Sequence, residues 1–456
     1  MMEITDTIAA VSTPRGKGGI AVIRISGADA REVLSRVFAA GVSPAASARR
    51  AVYGKILGED GGVIDEGIAT FFAAPASFTG EDVAEIACHG GILLTEAVLA
   101  SVFHAGARPA RAGEFTRRAV MNGKMTLSAA EALGSLLDAA GAGQLALARG
   151  GMAGHLSGAV QALYDRVGLL LADAYAKIDF PDEDLNTKST AELIAEIGEI
   201  GKAVEKLLAT YRTGHAVGEG VRTVICGAVN AGKSTLYNAL VGHNAAIVTD
   251  VAGTTRDILT ETVPLGKVTL RLFDTAGLRE SDDTVEKIGV SRAREAMKDA
   301  ELVLAVFDAS KEADAQACAF IAELQTLPGT VIAVLNKADR PVSFRRELLD
   351  GFAAVVTVSA AAGDIAPLRE AVERLYLSDA ISLSEDAVVS NARQYAALSR
   401  AAEALSRAET ALREGVTPDA ALIDAELSMA ALGEVDGRAV DERIVENIFS
   451  HFCVGK

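Results

Sequence analysis

Tryptophan is absent from this chain of 456 residues, and aromatic residues make up only 5% of it. Cores built from Ala, Leu, Val and Ile are therefore expected, with no extended stacking surface. Cysteine is scarce as well. Cys88, Cys226, Cys318 and Cys453 stand far apart with no C-x-x-C pair, which excludes a disulfide framework or a zinc ribbon and fits a reducing cytosol. Long apolar runs are missing too: the best stretch, residues 167–172, is cut by Asp173, and the N-terminus lacks a basic segment. Neither a membrane span nor a secretory signal is expected, and a cytoplasmic protein is. Positive charge is also short, with 44 Lys+Arg against 61 Asp+Glu and a net charge of −17. That balance excludes a surface gripping nucleic acid everywhere through its phosphates. Residues 1–125 are the exception, holding 13 Lys+Arg and 13 Asp+Glu, with Arg108, Arg111, Arg117, Arg118 and Lys124 close together. An anion other than a nucleotide would meet the chain there.

What is present divides into blocks. Single cores rarely grow beyond roughly 250–300 residues, so two or three domains are expected. Residues 1–120 mix β-like runs at 19–25, 67–72 and 82–88 with Gly-rich turns, which reads as an α+β domain. Leu156, Val160, Leu163, Val167, Leu170, Ala174 and Ile178 then recur at spacings of three and four, predicting a long helix that stops at Phe180-Pro181. Leu193, Ile197, Ile200, Val204 and Leu207 predict another.

Apolar runs at 222–226, 268–273, 302–307, 330–335 and 355–358 alternate with helical stretches, the pattern of a parallel sheet wound on both faces. Beyond Ser382 the texture is helical again, with Tyr395, Leu398, Ala402, Leu405 and Leu412, then Leu422, Ala425, Met429 and Leu432. Neither helical block makes a bundle alone, so the two are expected to pack together around an inserted α/β domain. The expected fold is multidomain α/β: an α+β domain over 1–120, a discontinuous helical domain over 121–216 plus 381–456, and a doubly wound, mostly parallel P-loop domain over 217–380.

The run at 222–226 leads into Gly227-Ala228-Val229-Asn230-Ala231-Gly232-Lys233-Ser234, followed by Thr235. In this G-x-x-x-x-G-K-S pattern the glycines let successive N–H groups face phosphates, Lys233 reaches the β- and γ-phosphates, and Ser234 ligates magnesium. The run at 268–273 ends in Asp274-Thr275-Ala276-Gly277, an acid for the magnesium shell and an amide that senses the γ-phosphate. The run at 330–335 ends in Asn336-Lys337-Ala338-Asp339, where the Asp339 carboxylate accepts from the guanine N1–H and 2-amino groups. The run at 355–358 ends in Ser359-Ala360-Ala361, placed to offer an amide to the guanine oxygen. Between the first two motifs lies a polar loop, Thr249-Asp250-Val251-Ala252-Gly253-Thr254-Thr255, whose Thr255 can complete the magnesium shell. Four motifs at four strand ends fit GTP binding by an open α/β sheet. Leu278 takes the position that holds a water-orienting Gln in Ras-like proteins, so hydrolysis must recruit another group.

Further segments resemble the MnmE/TrmE family along essentially the whole chain. They are Asp6-Thr7-Ile8-Ala9-Ala10, the run from Gly18 to Gly27, Ser77-Phe78-Thr79-Gly80-Glu81-Asp82, His89-Gly90-Gly91, Gly113-Glu114-Phe115-Thr116, Asn122-Gly123-Lys124, Ile178-Asp179-Phe180-Pro181-Asp182-Glu183 and Phe452-Cys453-Val454-Gly455-Lys456. Ala112, Thr126 and Val454 depart from the family's usual Pro, Asp and Ile.

The resemblance implies a tRNA-modification GTPase working with a flavoprotein partner, MnmG, in a heterotetramer. FAD would sit on that partner, which would also make most of the tRNA contact. The target would be C5 of the wobble uridine, and the one-carbon unit would come from a 5-formyl- or methylene-type tetrahydrofolate. By the same resemblance Arg24, Glu85, Lys124 and Lys456 would contact the folate; chemically, Glu85 suits the pterin donors and Arg24 and Lys124 the glutamate tail. The family also implies homodimers through the N-terminal domain and a GTPase stimulated by K+ when two G domains meet. Asn230, Thr249, Val251 and Thr254 would hold the ion, and Glu286 would orient water in place of the Gln missing at Leu278. For Cys453 the family tail suggests a position near the folate, whereas its apolar neighbours read as a small buried side chain.

Two other classes fit the sequence less well. A ribosome-assembly or RNA-binding GTPase switch would carry a basic module with a G-x-x-G loop after its G domain, and residues 381–456 contain none. A dynamin-like GTPase would need a membrane-binding stretch, and none is visible.

Overall fold

The computed structural model describes residues 6–180, 187–242, 261–273, 295–438, 440 and 442–455. By contact the chain forms two compact units, one of Met1–Gly134 with Asp436–Lys456 and the other of Ser135–Val435. The C-terminal segment thus groups with the N-terminal sheet, and the P-loop block groups with the long helices.

In the first unit β1 (Ile8–Val11), β2 (Ile20–Ser26), β3 (Phe38–Ala39), β4 (Val52–Leu57), β5 (Val63–Phe72), β6 (Val83–His89) and β7 (Arg108–Pro109) form one sheet in the order β3-β4-β5-β6-β2-β1-β7. Only the β1–β7 pairing is parallel. Period-two alternation makes the sheet two-faced. Ile23, Ile25, Ile86 and Phe71 point into a core closed by Val33 and Leu34 of helix Ala30–Val37 and Val98 and Val102 of helix Ile92–His104. Arg24 and Glu85 lie in register on the opposite face. The short β1, β3, β4 and β7 were not anticipated, since four or fewer apolar positions between turns carry little periodic signal.

The C-terminal residues close this unit. Helix Glu442–Ser450 brings Phe449 against Leu127 and Ala130, Val454 forms a β-bridge with Ala112, and Gly455 packs so closely on Val11 that an added Cβ would come 2.3 Å from its carbonyl oxygen. Two of the three positions that depart from the family's usual residues are therefore each other's bridge partners.

In the second unit the helix His155–Asp179 buries Leu156, Val160, Leu163, Val167, Leu170 and Ala174. Ile178, assigned to the same stripe from its spacing, is 38% exposed. Helix Thr190–Leu208 starts at a capping box in which Ser189 and Glu192 satisfy each other's backbone amides. These two helices share one core with Ala392–Arg413 and Pro418–Val435, so segments on either side of the P-loop block make one bundle. Burial of such stripes, at roughly 25 cal/mol per Å², is what holds helices that neither half could stabilise alone.

The inserted sheet has the order β13-β12-β11-β8-β10-β9, with β8 (Val221–Gly227), β10 (Val268–Leu272), β11 (Leu302–Asp308), β12 (Thr330–Asn336) and β13 (Ala354–Thr357) parallel and β9 (Glu261–Leu265) antiparallel to β10. Ile225, Leu304, Val306 and Val334 pack on helices Lys233–Gly242 and Ala366–Tyr376. Their alternates Val224, Val303, Ala305 and Ala333 pack on helix Ala315–Leu324 from the other side. Both faces are covered, as a parallel sheet requires. β9 escaped the sequence reading because Pro264 argues against a strand; at the sheet edge its missing N–H costs no ladder bond. The passage from bundle to sheet is a π-helical turn, Ala216–Gly220, leading directly into β8.

Candidate functional site

The phosphate loop takes its shape from three residues with positive φ. Gly227 has φ +145° and Gly232 φ +97°, and between them Asn230 is left-handed at φ 61°. Side chains could not replace either glycine: a Cβ on Gly227 would lie 2.2 Å from the Val306 oxygen, and one on Gly232 would lie 2.2 Å from the Asn336 amide nitrogen. Helix Lys233–Gly242 begins immediately after, so its unpaired amides open toward the loop, with Ser234 and Thr235 exposed in the first turn. Lys233 donates to the carbonyls of Gly227 at 3.0 Å and Ala228 at 2.9 Å. Burial pushes its ammonium below the usual lysine range, so an anion arriving here meets a charge in search of compensation.

The base-reading segment is tied to this loop. Asn336, buried at the end of β12, donates to the Ala231 oxygen at 3.2 Å and accepts from the Ala360 amide at 3.1 Å. Its one side chain thus joins the phosphate loop to the Ser359-Ala360-Ala361 turn. A guanine oxygen would have to share or displace that Ala360 bond. Lys337, left-handed at φ 68°, donates to the Asn230 carbonyl at 2.6 Å. Asp339 is exposed and accepts from the Ser359 hydroxyl at 2.8 Å, a bond that holds its carboxyl below the usual carboxylate range. An ionised, outward-facing carboxylate suits the two adjacent donors of a guanine edge. Ala338 keeps the segment attached to the next strand through its amide and the Val358 carbonyl, 3.1 Å.

Several expected site residues lie outside the described residues: Thr249, Asp250, Val251, Ala252, Gly253, Thr254, Thr255, Asp274, Thr275, Ala276, Gly277, Leu278, Glu286 and Lys456.

In the first unit Arg24 and Glu85 face each other across β2 and β6, 2.8 Å apart, both partly exposed. The Arg24 guanidinium also lies over the rings of Phe78 and Phe115, 5.4 and 5.8 Å from their centroids. Arg24 and Glu85, expected to serve different parts of a folate, are paired with each other here. Lys124 reaches the Pro75 carbonyl at 3.0 Å and packs over Gly80, which puts it across the 75–80 loop from Arg24. Cys453 is exposed, against the expectation of a small buried side chain.

Two members of the basic cluster expected to meet an anion, Arg108 and Arg118, are instead neutralised from within. Arg118 is fully buried, holding Asp6 at 2.8 Å and Glu81 at 3.1 Å, while Arg108 pairs with Asp6 and Glu114. With Glu114 as a third carboxylate on Arg118, the buried guanidinium stays compensated from three sides.

Two further residues belong to none of the sequence motifs: Asp308, which closes β11 beside Lys337, and His215, which touches two carboxylates. An acid at the C-terminal end of a strand in an open α/β sheet was a signal for the first. Nothing in the sequence marked the second.

Comparison with known proteins gives a consistent result. The family model for the GTP-binding protein TrmE N-terminus matches residues 7–124, and that for the MnmE helical domain matches residues 127–453. The chain is 42% identical over 458 residues to the tRNA modification GTPase MnmE of Symbiobacterium thermophilum, covering 99% of each chain. It is 40% identical to the protein of the same name from Heliobacterium modesticaldum, covering 99% of this chain and all of that one. Identity to the Roseiflexus sp. protein is also 40%, with both chains covered in full.

Proposed function

This chain belongs to the MnmE family of tRNA modification GTPases, and on that premise we propose that it binds GTP between its phosphate loop and the 336–339 segment and hydrolyses it in support of tRNA modification. The observation that carries this reading is Asn336, whose amide holds both Ala231 and Ala360 and so joins the phosphate-binding and base-reading halves into one site. Ser234, exposed in the first turn of its helix, suits a magnesium ligand, with Thr255 as the second; the ion would neutralise charge on the β- and γ-phosphates.

The finer proposals follow the family. Asn230 would ligate a potassium ion with Thr249, Val251 and Thr254, and Glu286 would orient water. The G domain would be residues 217–380, active when two such domains meet. Residues 1–120 would carry the homodimer contact and, through Arg24, Glu85 and Lys124 with Lys456, hold a reduced folate as one-carbon donor. Partial exposure of Arg24 and Glu85 beside the half-buried Phe78 ring supports a hydrogen-bonding ligand there. Cys453, near the same end of the sheet, would have access to it. An MnmG-type flavoprotein, carrying the FAD and most of the tRNA contact, would complete the assembly at C5 of the wobble uridine. Among the described residues no helix is long and apolar enough to cross a membrane.

The test is mass analysis of wobble uridines in tRNA from cells lacking the protein, with hydrolysis of GTP and ATP compared in vitro. Loss of the C5 modification and strong preference for GTP are expected. Unchanged uridines, or equal turnover of ATP, would overturn the reading.

A further inference from the structure

The phosphate loop follows β8 and the base-reading segment follows β12. In the sheet β11 lies between them, and no motif residue stands at its end. Asp308 does. Its Oδ2 lies 2.7 Å from Lys337 Nζ, while its Oδ1 accepts from the Ser310 hydroxyl at 2.7 Å and the Ser310 amide at 3.1 Å. The side chain is 10% exposed, so the pair is only partly screened by water. Lys337 passes the contact on, donating to the Asn230 carbonyl at 2.6 Å.

Both Lys337 and Asn230 hold left-handed backbones without being glycine. Such conformations persist only where the surroundings over-determine them. Here the surroundings are a chain of three residues: a fixed carboxylate, an ammonium bridging it to the loop, and the loop crest itself. A lysine stem is flexible, and an ammonium held by a neutral carbonyl alone would swing toward water. The carboxylate is dependably charged. Burial pushes it up, but the Lys337 ammonium and the Ser310 donors outweigh burial and hold its pKa at about 2.

Resting on the reading of this site as a guanine-nucleotide site, we propose that Asp308 is a positioning residue for GTP and GDP: it anchors Lys337 so that the lysine ties the base-reading segment to the crest of the phosphate loop. Asp308 does not itself touch the nucleotide in this arrangement. Its effect on binding passes through Lys337, which separates this role from that of a turn cap for Ser310.

The experiment is release of a fluorescent GDP analogue from the full-length protein in Mg2+ and K+, followed by stopped flow for the parent, Asp308→Asn, Lys337→Ala and the double variant. Removing the charge from one partner of a charge-assisted bond should speed release roughly tenfold or more. In the Lys337→Ala background the same substitution should change release by less than about twofold, since coupled residues are not additive. Ser310→Ala should release GDP at the parent rate. Parent-rate release from Asp308→Asn, or single effects that multiply in the double variant, would overturn the proposal. Melting curves accompany each variant; should Asp308→Asn melt below the assay temperature, Asp308→Ser carries the same cycle with the same two outcomes. A parent protein that fails to hold GDP at all would instead overturn the reading of the site.

Discussion

His215 Nε2 lies 3.2 Å from Glu301 Oε1, joining the end of the helical bundle to the residue just before β11. The other ring nitrogen, Nδ1, lies 2.9 Å from Glu219 Oε2, and Glu219 in turn accepts from the Ala392 amide at the start of the next bundle helix. Glu301 also takes the Arg222 amide at 2.9 Å, so the imidazole is bolted to the N-terminal ends of both β8 and β11. The Tyr211 ring lies beside the imidazole, 5.4 Å away.

This arrangement predicts a pH-dependent stability. The Glu219 bond, opposed by burial and helped by Glu301, raises the His215 pKa above its ordinary 6.5. Protonation is thus favoured by folding, so the contribution is fully present below pH 6.5 and is lost as pH rises through the folded value. Melting temperatures of parent and His215→Gln should diverge toward acid and converge toward alkali, by something on the order of 1–3 °C. Parallel curves from pH 5.5 to 9 would show that His215 is not titrating against its carboxylates.

Guanine selectivity is expected to reside in Asp339. Two hydrogen bonds to an ionised carboxylate, at about 1.5–3 kcal/mol each, are lost to repulsion when the acceptor becomes an amide. Asp339→Asn should weaken GTP binding by on the order of a hundredfold and prefer the xanthine nucleotide. A variant that still favours GTP over xanthosine triphosphate would remove Asp339 from this role.

The Arg24–Glu85 pair makes the folate proposal specific. Calorimetry on the full-length protein should find that a Glu85→Ala, Lys124→Ala double variant binds reduced folate at least about tenfold more weakly. Glu85→Gln alone should also weaken it, because an amide in place of the carboxylate presents a donor as well as an acceptor to the adjacent pterin donors. Equal affinity in the parent and the double variant would place the folate elsewhere.

Potassium should accelerate GTP turnover where sodium does not. Asn230→Ala is expected to lose that stimulation together with G-domain association, whereas Glu286→Ala should keep association and lose turnover by roughly 10²–10³-fold, the usual cost of removing one group that stabilises developing charge. Parent-rate hydrolysis by Glu286→Ala, or equal activity in the two ions, would refute the mechanism.

Much of this was legible in the residues. The P-loop motif, the strand runs and the two long apolar stripes depend on local spacing, and the parallel strands of the inserted sheet appear within a residue or two of where spacing put them, whereas β5 begins four residues before the expected run, at Val63 rather than Gly67. Edge and bridge strands were not legible: β9 contains a proline, and β3 and β7 are two residues each, so their existence depends on a neighbour that supplies the ladder.

By itself, then, the sequence determined which residue types stand at the ends of β8, β12 and β13, because phosphate and base recognition need glycines, a lysine, an amide and a carboxylate at set spacings. Only the tertiary structure decided which charges are spent internally. Arg118 and Arg108 look like an anion site in sequence and are consumed by Asp6, Glu81 and Glu114; Asp308 looks like the end of a strand and holds Lys337. Apart from the pairs of Glu114 with Arg108 and Arg118, six and four positions apart, these ion pairs join residues 29 to 112 positions apart, and no local pattern encodes such distances; the folded sheet brings the partners within reach, and the cost of leaving a buried charge unpaired selects which of them meet.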